Sequence, residues 1–128
     1  MNALFDAFVQ GTVIHGAECT SALSLAWNRH KTFAGVFLKN LLGNESTSGM
    51  LSCHLVRIDP NMSIGLHSHP DSMELHEVIA GNGTCVIPDG TFSYAPGTIS
   101  VIAHDTPHEV HAGGDGLYLF AKFISLKP

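Results

Sequence analysis

The stretch from His67 to Glu77 (HSHPDSMELHE) gathers three imidazoles and three carboxylates into a chain of which only 13% is charged. Alternate side chains on a strand share a face, so His67 and His69 lie on the same side with Cα atoms about 6.6 Å apart and can turn toward one ion. Pro70 and Asp71 suit a turn, and a returning strand then presents Glu74 and His76, again facing alike. Imidazoles joined by one carboxylate oxygen suit a divalent transition metal such as Fe, Mn, Ni or Zn.

A later cluster, AHDTPHEVH, offers His104, His108 and His111. His108 follows Pro107 at the expected start of a strand, where a restricted backbone would hold a ligand still, and it is the best third imidazole. His104 sits in a turn beside Asp105, and His111 falls on the opposite face of the strand from His108. His76 is expected to face the cavity, either as a general acid or base and substrate contact or as a group that orients Glu74. Glu77 and Glu109 should point away from the ligand side. His15, His30 and His54, each isolated, read as packed or surface residues.

The elements needed to place these groups are strands. From about residue 40 onward, Gly, Pro, Asn and Asp punctuate the chain at short intervals. GVFLKNLL and MLSCHLVRID flank a polar loop; SIGLHSH, MELHEVIAG, GTCVIPDG, TFSYAPG, TISVIAHD, HEVHAGG and LYLFAKFISL follow. Seven to nine short strands at this spacing predict an antiparallel sandwich or barrel. Leu4, Phe5, Phe8 and Val9 recur near helical spacing, so residues 2–10 are expected to form a short helix or an exchanged arm with a core-facing stripe. The aromatic residues Trp27, Phe33, Phe37, Phe92, Tyr94, Tyr118, Phe120 and Phe123 are expected mostly in the core, with Tyr118 the first to test as a substrate contact.

The first cluster resembles the leading motif of the cupin family, G(X)5HXH(X)3–4E(X)6G. Asn61 stands at the usual glycine, and His67, His69, Glu74 and Gly81 follow at matching spacings. The second family motif, G(X)5PXG(X)2H(X)3N, is met by Gly97 and His108, with Ala103, Asp105 and Ala112 at the proline, glycine and asparagine positions. The resemblance covers roughly residues 50 to 125. It implies an all-β, single-domain jelly-roll β-barrel, often dimeric, with a divalent metal in the barrel mouth held by His67, His69, Glu74 and His108. On this reading residues 1-128 form one cupin domain, with an N-terminal arm over about 1-33 and the barrel over about 34-126.

Composition bounds the rest. Six basic residues against 11 acidic ones, a net charge of -5 and no Lys/Arg cluster argue against nucleic acid and anionic membrane as partners. The apolar runs are too short or interrupted for a membrane span, and a cytoplasmic protein is the simplest expectation. Three distant cysteines fit neither a disulfide framework nor a CxxC site, and are expected to be buried free thiols. Few charges with a 45% hydrophobic content predict a homodimer or larger assembly.

The residues therefore point to a metal-dependent enzyme acting on a small-molecule substrate, by dioxygenase or lyase/isomerase chemistry. Small cupins acting on unsaturated uronates share a terminal D-x-F-x-P-x-R pattern, which Ala121, Phe123, Ser125 and Lys127 do not reproduce. Cupin lyases of dimethylsulfoniopropionate carry a tyrosine where His76 stands. The alternative is a non-catalytic cupin, either a metal- or ligand-binding sensor or a scaffold.

Overall fold

Leucine, valine, isoleucine and phenylalanine alternate with polar residues over most of the chain, and that period-two pattern builds strands with one buried face. The computed structural model describes residues 2–127. Helix α1 (Ala3–Val9) is capped by Asn2, whose side-chain oxygen accepts from the amides of Leu4 and Phe5 at 3.0 and 3.1 Å. A hairpin of β1 (Thr12–His15) and β2 (Glu18–Ser21) turns at Gly16, which takes φ +59°. The main sheet holds β3 (Trp27–Arg29), β4 (Val36–Leu42), β5 (Leu51–Ile58), β6 (Ser63–His67), β7 (Ser72–Ile87), β8 (Gly90–Tyr94), β9 (Ile99–Ile102) and β10 (His108–Ser125).

The strands run in the order β3-β4-β5-β10-β7-β8, with β6 also on β10 and β9 also on β7, all antiparallel. This is the all-β, jelly-roll barrel architecture anticipated above. The helix lies over residues 3–9, but its stripe is only half used: Phe5 is buried, whereas Leu4 and Phe8 are exposed. Phe5 packs edge-on against Tyr118, with ring centroids 4.9 Å apart.

The sequence reading differs from the structure in how the strands divide. MELHEVIAG and GTCVIPDG are one strand, β7, and HEVHAGG and LYLFAKFISL are one strand, β10. The glycines between them do not turn the chain. Gly81 (φ +78°) faces Gly116 (φ +77°) where the pairing of β7 with β10 shifts register, so both strands bend together and continue. A Cβ on Gly81 would collide with the carbonyl oxygen of Gly116.

Pairing across the sheet stacks the inward side chains in rows. Leu38, Val56, Leu119 and Val78 pair in one apolar row, and Asn40, His54, Ala121 and His76 pair in the next toward the mouth. Phe123 and Glu74 pair in the third. The core sits beneath, with Val36, Ile58, Tyr94, Val110 and Leu117 almost fully buried. Lys39 points to the outer side, where it is 2% exposed, and its ammonium donates to the carbonyls of Ala22 and Leu25 at 2.6 and 2.7 Å, fastening the N-terminal segment.

Of the residues expected inside, Phe92 is 53% exposed on β8, an outward position at the sheet's end. Cys85 is buried, but Cys19 is exposed on the hairpin, which packs on little of the barrel. No helix among the described residues is long and apolar enough to cross a membrane.

Candidate metal centre

His67 closes β6 and His108 opens β10, and the two residues are cross-strand partners, which brings their rings to 4.1 Å between centroids. His69 lies just past the end of β6 in the loop rather than on the strand face. Its carbonyl accepts from the amide of Asp105 at 2.8 Å, so the loop carrying His69 is tied to the loop before His108. Glu74 projects from β7 into the same space. One donor atom from each of His67, His69, Glu74 and His108 lies within 4.8 Å of the others. Opposed donors around an ion at about 2.1 Å stand about 4.2 Å apart, so adjustment by a few tenths of an ångström completes a coordination shell.

The electrostatics of the group call for a cation. His67 Nδ1 donates to the Gly65 carbonyl at 2.7 Å and His108 Nδ1 to the Thr106 carbonyl at 2.8 Å. Each bond fixes the ring and turns Nε2 inward, where the unprotonated nitrogen would offer a metal its lone pair; in the metal-free protein His108 Nε2 instead donates to Glu74. Glu74 Oε1 stands 3.0 Å from His108 Nε2 and 3.5 Å from His69 Nε2. His69 Nε2 is buried with no hydrogen-bond partner among the described residues, an orphan that a metal ion would satisfy.

Behind the carboxylate stands a relay. His76 Nε2 donates to Glu74 Oε2 at 2.9 Å, and the Tyr94 hydroxyl donates to His76 Nδ1 at 2.8 Å. Glu74 thus presents Oε1 to the ligand cluster and spends Oε2 on His76. Burial pushes the Glu74 carboxyl up, but the hydrogen bonds from His108 and His76 outweigh it and hold the group well below the usual carboxylate range. Burial lowers His67 and His69, which favours the neutral, ligating form. For His108 burial also acts downward, but its bonds to Glu74 and Thr106 raise it in the metal-free protein.

Both His76 ring nitrogens are engaged, and the ring lines the same cavity as His67, His69 and Glu74, as its alternation with Glu74 requires. Tyr94, read from the sequence only as a core aromatic, is the residue that sets the His76 tautomer; its spacing carried no sign of that. Glu77 pairs with Lys122 on the outer face, as its alternation with Glu74 requires. His104 is exposed, 3.9 Å from Asp105, and His111 bonds Ser63 Oγ at 2.6 Å away from the ligands. Tyr118 alternates outward from Leu117 and Leu119 and lines a separate hollow beneath α1 with Phe5, Trp27 and Arg57, so it does not reach the ligand cavity.

The ligands open on a cavity of about 180 Å³. Leu38, Val56, Ile64, Leu119 and Phe123 supply its apolar walls, and His30, Asn40 and His54 line it as well. His54 is buried and His30 half-buried, as packed and surface residues are, and both face this cavity. His54 alternates inward with Val56 and Ile58 on β5, and that alternation was the available signal.

The family's glycine positions also find their physical explanation. Asn61 takes φ +61° and Asp105 φ +59°, in the left-handed region that asparagine and aspartate tolerate better than other side chains. The turn geometry survives both replacements.

Residues 54–120 match the Cupin domain family model. No curated protein matches the chain significantly. Among solved structures, a predicted oxalate decarboxylase from Thermotoga maritima is similar at 20% identity, over 81% of this chain and 96% of that one, with a TM-score of 0.74. KdgF from Halomonas sp. shares 17% identity over 80% of this chain and 89% of that one, at TM-score 0.68. Ectoine synthase from P. lautus shares 18% over 71% and 64%, at TM-score 0.64. At these identities the likeness bears on fold alone. The family match spans more than half of the sequence and includes His67, His69, Glu74 and His108, and the chain belongs to the cupin family.

Proposed function

We propose that the protein is a metal-dependent enzyme acting on a small molecule, with a divalent transition metal held by His67, His69, Glu74 and His108. One observation carries this reading: the ligand cluster opens on a cavity and is not closed over by side chains. Four protein donors leave open positions on an octahedral ion, and catalysis by direct coordination of substrate needs them. When bound, such a metal polarises a substrate oxygen or, as iron, engages dioxygen. The chain's own residues fix the donors, exclude bulk water with Leu38, Val56, Ile64 and Phe123, and hold Glu74 in a single-oxygen posture through His76 and Tyr94. His76 acts as a positioning residue. Two similar structures bear enzyme names, a predicted oxalate decarboxylase and an ectoine synthase, which is consistent with chemistry in a cavity of this kind.

The test is to strip the protein, reload it with Fe(II), Mn(II), Ni(II) or Zn(II), and follow oxygen uptake and product formation by mass spectrometry across a panel of small organic acids, enols, sugars and thiols. Turnover with one metal that is lost in His108→Ala supports the enzyme. Metal uptake with ligand binding but no turnover under any metal supports the non-catalytic binding protein instead.

A further inference from the structure

The cavity has a second polar side, and its residues are not the ligands. His54 is 9% exposed and makes no hydrogen bond among the described residues, and its ring nitrogens are not sealed off as the His69 Nε2 is, so they reach the cavity that the ring lines. Its ring lies tilted 5.3 Å from Phe123, and Phe123 in turn lies 4.8 Å from His69, so the phenyl ring forms the wall that His54 and His69 share, while His54, Glu74 and His76 face one cavity. Asn40 is the cross-strand neighbour of His54 on β4 and is exposed at the mouth. On the other side, the partner of His54 is Ala121, whose methyl group leaves the space between His54 and His76 open. His30 is anchored at the rim, its Nδ1 accepting from the amides of Thr32 and Phe33 at 3.0 and 3.2 Å. Those bonds put the ring proton on Nε2.

Resting on the metal reading above, we propose that His54 is a substrate-contacting residue: it hydrogen-bonds a hydroxyl or carbonyl group of a small acid whose other end sits on the metal, with Asn40 beside it. The rows of Glu74 and His54 are one alternation apart, about 6.6 Å along the strands, which places the second polar group a few bonds from the metal-bound end. The cavity holds about 180 Å³ and is open at its mouth, which suits a small acid with a short carbon chain. No lysine or arginine lines the cavity among the described residues, so nothing there offers a fixed cation to a second carboxylate. The distal group is therefore neutral. A dicarboxylate is disfavoured, and a hydroxy- or oxo-acid with a short carbon chain fits. His54 is buried against Leu38, Val56 and Phe123, where burial depresses imidazole protonation and keeps the ring available as both donor and acceptor.

The test uses the full chain loaded with Co(II), whose visible spectrum reports ligands entering the metal shell, titrated with 3-hydroxybutyrate and with butyrate, which differ by one distal hydroxyl. The parent should bind the hydroxy acid about tenfold more tightly, the worth of one hydrogen bond in a cavity. His54→Phe should bind cobalt as before, with an unchanged starting spectrum, and should lose that preference while keeping its affinity for butyrate. His54→Gln, which keeps a donor and an acceptor, should retain part of the preference even if the phenylalanine variant folds poorly. Equal affinity of the parent for the two acids, binding of neither, or a preference unchanged in both variants overturns the inference while cobalt stays bound. A parent that takes up no cobalt overturns the metal reading instead, and the assignment of His54 falls with it.

Discussion

Replacing His76 by leucine removes the hydrogen bond to Glu74 Oε2 at 2.9 Å and the acceptor for the Tyr94 hydroxyl at 2.8 Å. The two losses fall on different quantities. Glu74 is 6% exposed, so its Oε2 finds no water to replace the imidazole, and a hydrogen bond to a charged group contributes about 1.5–3 kcal/mol. Without it the carboxylate is free to rotate away from the posture that offers Oε1 to the cation, and metal affinity should fall by about 10- to 100-fold. Tyr94 is 1% exposed and keeps hydrogen-bond partners in Ser100 and Cys85, so losing its bond to His76 should lower the stability of the metal-free protein by about 1 kcal/mol. Competition for zinc against a chromophoric chelator measures the first, and urea denaturation of the stripped protein the second. Tyr94→Phe provides the internal check: it should cost more stability in the parent than in the His76→Leu background, where the hydroxyl keeps only Ser100 and Cys85. If His76→Leu abolishes metal uptake as fully as loss of a ligand does, His76 is itself a ligand. If it binds zinc at parental affinity, Glu74 is not held through His76 and the relay is wrong.

Other consequences are narrower. Burial lowers the His54 pKa from 6.5 to about 4, so the unfolded chain binds a proton that the folded one refuses between those values. Metal-free protein should therefore lose stability as pH falls from about 7 through 6.5 toward 4, by up to about 3 kcal/mol from this group, and then level off. Urea midpoints across that range should show a shallower slope for His54→Phe, and an identical slope would contradict the burial argument. Asn61→Gly should leave the thermal midpoint nearly unchanged, whereas Asn61→Val, forcing a branched side chain to φ +61°, should cost about 1–2 kcal/mol; equal effects would mean the turn is not held in that conformation. Lys39→Met strands the Ala22 and Leu25 carbonyls and should destabilise by about 3 kcal/mol while speeding proteolysis within residues 2–27, and an unchanged cleavage rate would show that the segment is fastened elsewhere.

The ligand set was legible because strand alternation is strict: His67, Glu74 and His108 occupy positions whose facing follows from period two and from the turn and proline beside them. His69 converges although it lies beyond the strand, because the hydrogen bond from Asp105 ties its loop to the His108 loop, a long-range contact that spacing cannot encode. The all-β class was equally plain from punctuation and alternation. The length of β7 and β10 was not, since glycine marks a turn and a bulge with the same letter, and only the meeting of Gly81 with Gly116 distinguishes them. His54 and Tyr94 were hidden for another reason. Each stands alone in its stretch, and its partner lies on a different strand: Tyr94 bonds a histidine on β7, and His54 shares a cavity wall with Asn40 on β4. The β1–β2 hairpin was missed because nearly all of its side chains are exposed, leaving no buried face to read.

The most direct test is metal stoichiometry after dialysis against equimolar Fe(II), Mn(II), Ni(II) and Zn(II), measured by elemental analysis on parent protein and on His108→Ala. The arrangement of His67, His69, Glu74 and His108 predicts close to one ion per chain in the parent and a loss of most of it in the variant, with the far-ultraviolet circular dichroism of both alike. A folded variant that retains the parent's metal, or a folded parent that takes up none of the four, would contradict the assignment of this cluster as the metal centre.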